Sequence, residues 1–195
     1  MSYTKTKIYN MALKNLGVTV GIQSASQTDR NTIVLNEFYD TAREKTLTDF
    51  DWNFASTYRT LSLTGNTSIN PRYALEYDYP NNCAAIREIV SLNGERAEFE
   101  VASNSDNQKI IYTNQNDAII RFTRLVNEET YFTPEFAMAL SWYLAFLSAK
   151  AITGARINSS DCLNLYRQML NEAKATDANE GYIKEDFECD WLDAR

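Results

Sequence analysis

Residues 133–150 read Thr133-Pro134-Glu135-Phe136-Ala137-Met138-Ala139-Leu140-Ser141-Trp142-Tyr143-Leu144-Ala145-Phe146-Leu147-Ser148-Ala149-Lys150, and the architecture turns on them. The stretch opens with a hydroxyl suited to capping a helix, a proline at the first helical position where no N–H is missed, and an acid favoured by the helix dipole. A helix must start there. From Phe136 to Ala149, 14 successive residues carry no charge, and Thr153-Gly154 ends the run. A bilayer span needs roughly 20 apolar residues, and Glu135 and Lys150 bracket this one. The expectation is therefore the central helix of a bundle, buried on most faces.

Working outward, three more helices are expected. Thr4 to Asn15 places Ile8, Met11, Ala12 and Leu16 on one face, with Gly17 as a left-handed C-cap. After a Gly-, Thr-, Ser- and Gln-rich segment over 17–27, Thr28 or Asp29 caps a second helix. Its buried stripe is Val34, Leu35, Phe38, Tyr39 and Ala42, and it ends near Thr48. Ser159 or Ser160 caps the last, with Leu163, Tyr166, Leu170 and Ala173 on one stripe, fading near Thr176.

From Trp52 the period changes. Tyr73, Leu75, Tyr77 and Tyr79 alternate, and Asn93-Gly94 separates the runs Ile86–Leu92 and Glu95–Val101. Asn-Gly suits a two-residue type I′ hairpin, which sets Val90 opposite Ala97. A further pair, Lys109–Thr113 and Ala118–Thr123, is joined by the polar turn Asn114-Gln115-Asn116-Asp117. Trp52 and Phe54 are expected to clamp the junction between helices and sheet. The fold class is thus α+β. A bundle of about four helices (1–50 and 126–176) holds an inserted antiparallel β block (51–125), and an extended tail follows (177–195).

Composition narrows the chemistry. The 195 residues include no histidine, which excludes schemes built on a Ser-His-Asp or Cys-His pair. Cys83, Cys162 and Cys189 lack C-x-x-C spacing, so neither a metal knuckle nor a disulfide framework is expected, and no metal or other cofactor. Cys83 and Cys162 read as small buried hydrophobes. Net charge is −7 with a pI near 4.7, the wrong sign for tight binding to a phosphate backbone. No glycine-rich phosphate loop occurs. The first residues lead into an amphipathic pattern, not a secretory leader, so a cytoplasmic site of synthesis and a reducing compartment are expected. The carboxylates Glu76 and Asp78 lie among Tyr73, Tyr77 and Tyr79, the residue types of a sugar cleft. On an alternating strand they are more simply polar residues facing out while the tyrosines face in, and Glu98 and Glu100 repeat the pattern around Phe99.

The last 19 residues, Asp177 to Arg195, carry five of the seven net negative charges. They also hold Tyr182, Ile183, Phe187, Trp191 and Leu192. A merely solvated tail has no use for such side chains, so these five are the candidate partner-docking residues.

Several phrases together resemble the tail tubular protein A family, the head-to-tail adaptors of short-tailed bacteriophages. They are Trp52-Asn53-Phe54-Ala55 with Arg59-Thr60-Leu61, Tyr77-Asp78-Tyr79-Pro80 with Cys83, and Ile110-Ile111-Tyr112-Thr113-Asn114. Thr133-Pro134-Glu135-Phe136 follows, with Ala139-Leu140, Leu144-Ala145 and Ile152-Thr153-Gly154. The series ends in Asp177-Ala178-Asn179-Glu180 and Trp191-Leu192-Asp193-Ala194-Arg195. Ser141-Trp142-Tyr143 departs from the pattern, being bulkier than the small and aliphatic residues expected there.

The resemblance implies a non-enzymatic virion component, assembled in the host bacterial cytoplasm. About a dozen copies would form a ring beneath the portal protein, receive the tail nozzle protein on the other side and enclose DNA without reading its sequence. No membrane is involved. It implies that the helical part and the C-terminal extension meet the portal or a neighbouring subunit, which gives Tyr182, Ile183, Phe187, Trp191 and Leu192 that role. Two alternatives stand beside it: a tail-associated cell-wall glycan hydrolase using Glu76 and Asp78, and a generic protein-binding module.

Overall fold

The computed structural model describes residues 2–154 and 158–178. Four helices, α1 (Lys5–Asn15), α2 (Arg30–Asp49), α3 (Pro134–Thr153) and α4 (Ser159–Ala178), form the bundle. Between α2 and α3 run seven strands: β1 (Ser56–Thr60), β2 (Leu75–Asp78), β3 (Cys83–Val90), β4 (Arg96–Ala97), β5 (Phe99–Ser103), β6 (Lys109–Thr113) and β7 (Ile119–Arg124). The fold is α+β, as its periodicities require.

Local signals start and stop the helices. Thr4 caps α1 by accepting from the Lys7 N–H at 3.2 Å, and the chain leaves α1 through Gly17 at φ +67°. Asp29, not Thr28, caps α2, accepting from the amides of Asn31 and Thr32. Thr133 caps α3 through the Phe136 N–H, with Pro134 in the first turn. For α4 the cap differs from expectation: Asn158, one residue earlier, accepts from the Ser160 N–H at 3.2 Å, and both serines lie inside the helix. The helical backbone also continues to Ala178, beyond the expected fade at Thr176.

α3 is the hub, packing against α1, α2 and α4. Its length and apolarity would suit a membrane span, yet half of its most apolar stretch is buried inside the protein. Phe136, Leu140 and Leu144 are fully buried among Ile8, Leu13, Leu35 and Tyr39. The departing turn is accommodated: Ser141 accepts from Asn15 Nδ2 at 3.1 Å, and the Tyr143 ring meets Tyr166 of α4 at 4.8 Å. Between α1 and α2, Asn10 binds both the N–H and the carbonyl of Ile22. A side chain at Gly21 would come within 2.8 Å of that amide.

The strands form two antiparallel sheets, ordered β1-β7-β3-β4 and β2-β6-β5. Their inner faces share one core of Leu61, Tyr77, Ile89, Ile111, Ile120 and Phe122. Two expectations about pairing are corrected. The hairpin at Asn93-Gly94 sets Val90 opposite Arg96 and Ile89 opposite Ala97. Only Gly94 takes a positive φ, so the loop is the three residues 92–94 and not a type I′ pair. Ser91 Oγ accepts from the Asn93 and Glu95 amides and holds it.

The second correction concerns β6 and β7. They are not a hairpin, because the turn after Thr113 carries the chain from one sheet to the other. β6 instead pairs with β5 through a second three-residue loop, in which Asn107 takes φ +59°. Alternation and turn chemistry locate strands well, but they do not say which sheet a strand joins.

Candidate interaction surfaces

The helix–sheet junction is built on Trp52. Its ring is 2% exposed, meets Phe50 and Phe136 edge-on at 4.8 and 5.1 Å, and donates Nε1–H to the Thr46 carbonyl at 2.8 Å. Phe54 and Phe132 extend the cluster. Trp52 and Phe54 are thus packing residues that fasten the two parts, as expected. Beside them Arg87 of β3 reaches back to the end of α2, donating through Nη2 to the carbonyls of Leu47, Thr48 and Phe50. Burial lowers the pKa of this guanidinium, and Asp51 at 3.6 Å opposes that shift. Asp51 also accepts from Arg121, Arg121 lies 3.4 Å from Glu88, and Glu88 pairs with Arg96 at 2.8 Å. The sequence carries no sign of this chain of charges, because its members come from α2's end, β3, β4 and β7 and meet only through long-range pairing.

The structure does not bring Glu76 and Asp78 to one cleft. Asp78 is exposed and lines a cleft of about 480 Å³ with Arg59, Tyr79, Pro80, Gln108 and Lys109. Glu76, expected to face out to water, is 5% exposed. Asn66 Nδ2 donates to it at 3.3 Å, and Tyr112 lies opposite it on the neighbouring strand. The reason is the segment after β1, which folds over the outer face of this sheet. Ser68 Oγ donates to the Tyr73 carbonyl, Asn70 donates to Glu100, Arg72 pairs with Glu98, and Asn114 binds Ala74 and Arg72. Tyr73, Ile110 and Tyr112 form a small second core beneath it. This pinned segment carries Ile69, 88% exposed. Glu98 and Glu100 are exposed, as expected.

Cys162 is buried and Cys83 half-buried, and burial raises both thiols above their ordinary pKa. Cys162 is thus the buried packing thiol expected, whereas Cys83 is only partly enclosed. Among the described residues no group of three or more Cys, Asp or Glu side chains is placed to hold a metal ion.

A cavity of about 250 Å³ sits where α4 ends, lined by Trp52, Asn53, Phe54, Glu135, Ala173 and Thr176. The candidate docking residues Tyr182, Ile183, Phe187, Trp191 and Leu192 lie outside the described residues, as does Cys189. Neither a protein-family model nor a curated protein matches the chain.

Proposed function

We propose that this chain is a structural head-to-tail adaptor of a short-tailed bacteriophage. About a dozen copies form a ring between portal and tail nozzle, around the channel through which DNA leaves. Its work is assembly in the host cytoplasm and a fixed place in the virion, not turnover, and it takes no cofactor.

The observation that carries the reading is where the resembling phrases fall. Trp52-Asn53-Phe54-Ala55 forms the junction, Ile110 to Thr113 lies in the middle strand of its sheet, and Thr133-Pro134-Glu135 opens the hub helix. The phrases thus fall on the junction, the β block and the hub helix of a bundle with an inserted β block, the organisation the resemblance implies. Exposed apolar residues on the β block, Ile69, Leu92, Leu63 and Tyr58, support a part that meets other proteins. The net charge of −7 suits a wall past which DNA slides without sticking.

The docking role of Tyr182, Ile183, Phe187, Trp191 and Leu192 is tested by deleting residues 179–195, which leaves every helix and strand described above intact. The truncated chain is expected to keep its melting transition and lose its hold on the portal ring. Unimpaired loading by the truncated chain contradicts that role.

A further inference from the structure

Two strands of the β block turn corners, and each leaves half of one side unpaired. Leu61 N–H donates to the Ala118 carbonyl at 2.9 Å, continuing the β1–β7 register. In an antiparallel ladder successive residues point their backbone groups to opposite sides, so Thr57, Arg59 and Leu61 serve β7 while Ser56, Tyr58 and Thr60 point away. Ser62 and Thr64, of that second parity, are already used: Ser62 O accepts from Asp78 N–H, and Thr64 N–H donates to Glu76 O. The outer side of this long strand is therefore paired to β2 over 62–64 and open over 56–60.

The opposite corner has the same construction. Asn104 N–H donates to Gln108 O in the β5–β6 register, so Glu100 and Ala102 serve β6 while Phe99, Val101 and Ser103 point away. Earlier residues of that parity, Glu95 and Ala97, serve β3. Among the described residues no strand pairs with either open side. Each borders a cleft, of about 480 Å³ beside Arg59 to Ser62 and about 360 Å³ beside Phe99, which gives an entering strand room.

We propose that the open side of β1 in one copy pairs with the open side of β5 in the next copy of this chain. The proposal rests on the ring reading above and names its subunit contact. A head-to-tail contact needs two different, complementary patches on one chain. Here the two open strands are five residues each, carry no proline, and stand at opposite ends of the sheet orders. Arg59 is exposed on one, and Glu98 and Glu100 are exposed on and beside the other. Tyr58 and Val101, 62% and 44% exposed, supply an apolar contact. Open edges without proline are templates for strand addition, and opposite charges on the two favour each other over a second copy of the same edge. Pairing β1 with itself over 56–60 would centre on Tyr58 and give a closed two-fold dimer in place of a ring.

The test uses the full chain with Tyr58 replaced by the photoreactive p-benzoylphenylalanine, a mixture of isotope-labelled and unlabelled copies, irradiation at high concentration, and mass mapping. The expected product is a mixed-isotope adduct joining position 58 of one copy to residues 96–104 of another. An adduct to residues 56–64 of another copy, or none between copies, overturns the proposal. A second variant, Tyr58→Pro, removes an outward N–H at an edge where proline is tolerated. It should fold and self-associate about tenfold more weakly, and unimpaired association overturns the proposal. The ring reading fails separately: a chain that gives the adduct but never loads a portal ring loses the adaptor role and keeps the edge contact. A chain that loads the portal without the adduct does the reverse.

Discussion

Arg87 Nη2 donates to the Phe50 carbonyl at 2.6 Å, tying the fifth residue of β3 to the residue that closes α2. The same nitrogen serves Leu47 and Thr48, so one guanidinium satisfies carbonyls that the end of α2 leaves without helical partners. Arg87→Ala is expected to cost about 2–3 kcal/mol, the range for losing hydrogen bonds to a charged group in a partly buried place. Arg87→Lys should recover only part, because an ammonium lacks the planar fork. Urea unfolding with the slope held constant measures both, and an unchanged midpoint for Arg87→Ala would contradict the role given to this side chain.

Trp52 holds the same joint from the apolar side. Trp52→Ala should destabilise by about 3–5 kcal/mol through the cavity left among Phe50, Phe54 and Phe136. Trp52→Phe keeps a ring but strands the Thr46 carbonyl, at a cost of about 1–3 kcal/mol. Thermal melts of the two variants give the comparison, and a Trp52→Phe variant that melts with the parent would argue that the indole N–H contributes nothing.

Much of this was legible in the sequence, for a physical reason that also sets its limit. Thr133-Pro134-Glu135 and Asp29 act on amides within three residues of themselves, so their effect is written locally. The stripe of α2 follows the same logic: Leu35, Tyr39 and Ala42 are buried, with Val34 and Phe38 partly so. The turn at Asn93-Gly94 was visible as a turn, but its length depended on whether Asn93 would join Gly94 at positive φ. It does not, and the register moves by one. The burial of Glu76 is not written locally, because what covers it comes from residues 62–73, and the sheet membership of β6 and β7 is likewise a matter of distant partners. The aromatic tail residues were conspicuous from composition alone.

Alkaline conditions should undo the bundle. Burial raises the hydroxyl pKa of Tyr9, Tyr39 and Tyr166 above the ordinary 10.0, and the carboxylates of Glu129 and Asp49 that accept from Tyr39 and Tyr166 add to it. A group whose folded pKa is raised contributes stability in full below its unfolded pKa and loses it above. Stability should therefore fall as pH rises past about 10, as the unfolded chain releases tyrosine protons the folded chain retains, with the raised thiols of Cys83 and Cys162 beginning the fall near their ordinary 9.0. Tyr166→Phe should flatten that fall. Tyrosinate absorbance recorded with unfolding checks this, and titration of all tyrosines near pH 10 in the folded protein would contradict it.

Asp29 gives the opposite slope. Its hydrogen bond from Thr32 holds the carboxyl below its ordinary 3.8. A lowered folded pKa gives stability that is complete above the unfolded value and disappears as pH falls through the folded one. Asp29→Ala should therefore be destabilised at neutral pH, with the difference from the parent shrinking in acid below 3.8. A difference that stays constant through that range would mean the cap does not act through its charge.

The proposed adaptor works only as one member of a ring. Light-scattering mass, taken on the protein alone and then with portal rings from the same source, tests it most directly. Each portal ring should gain about a dozen copies. No gain in mass with any portal ring, at concentrations where the chain is folded, would contradict it.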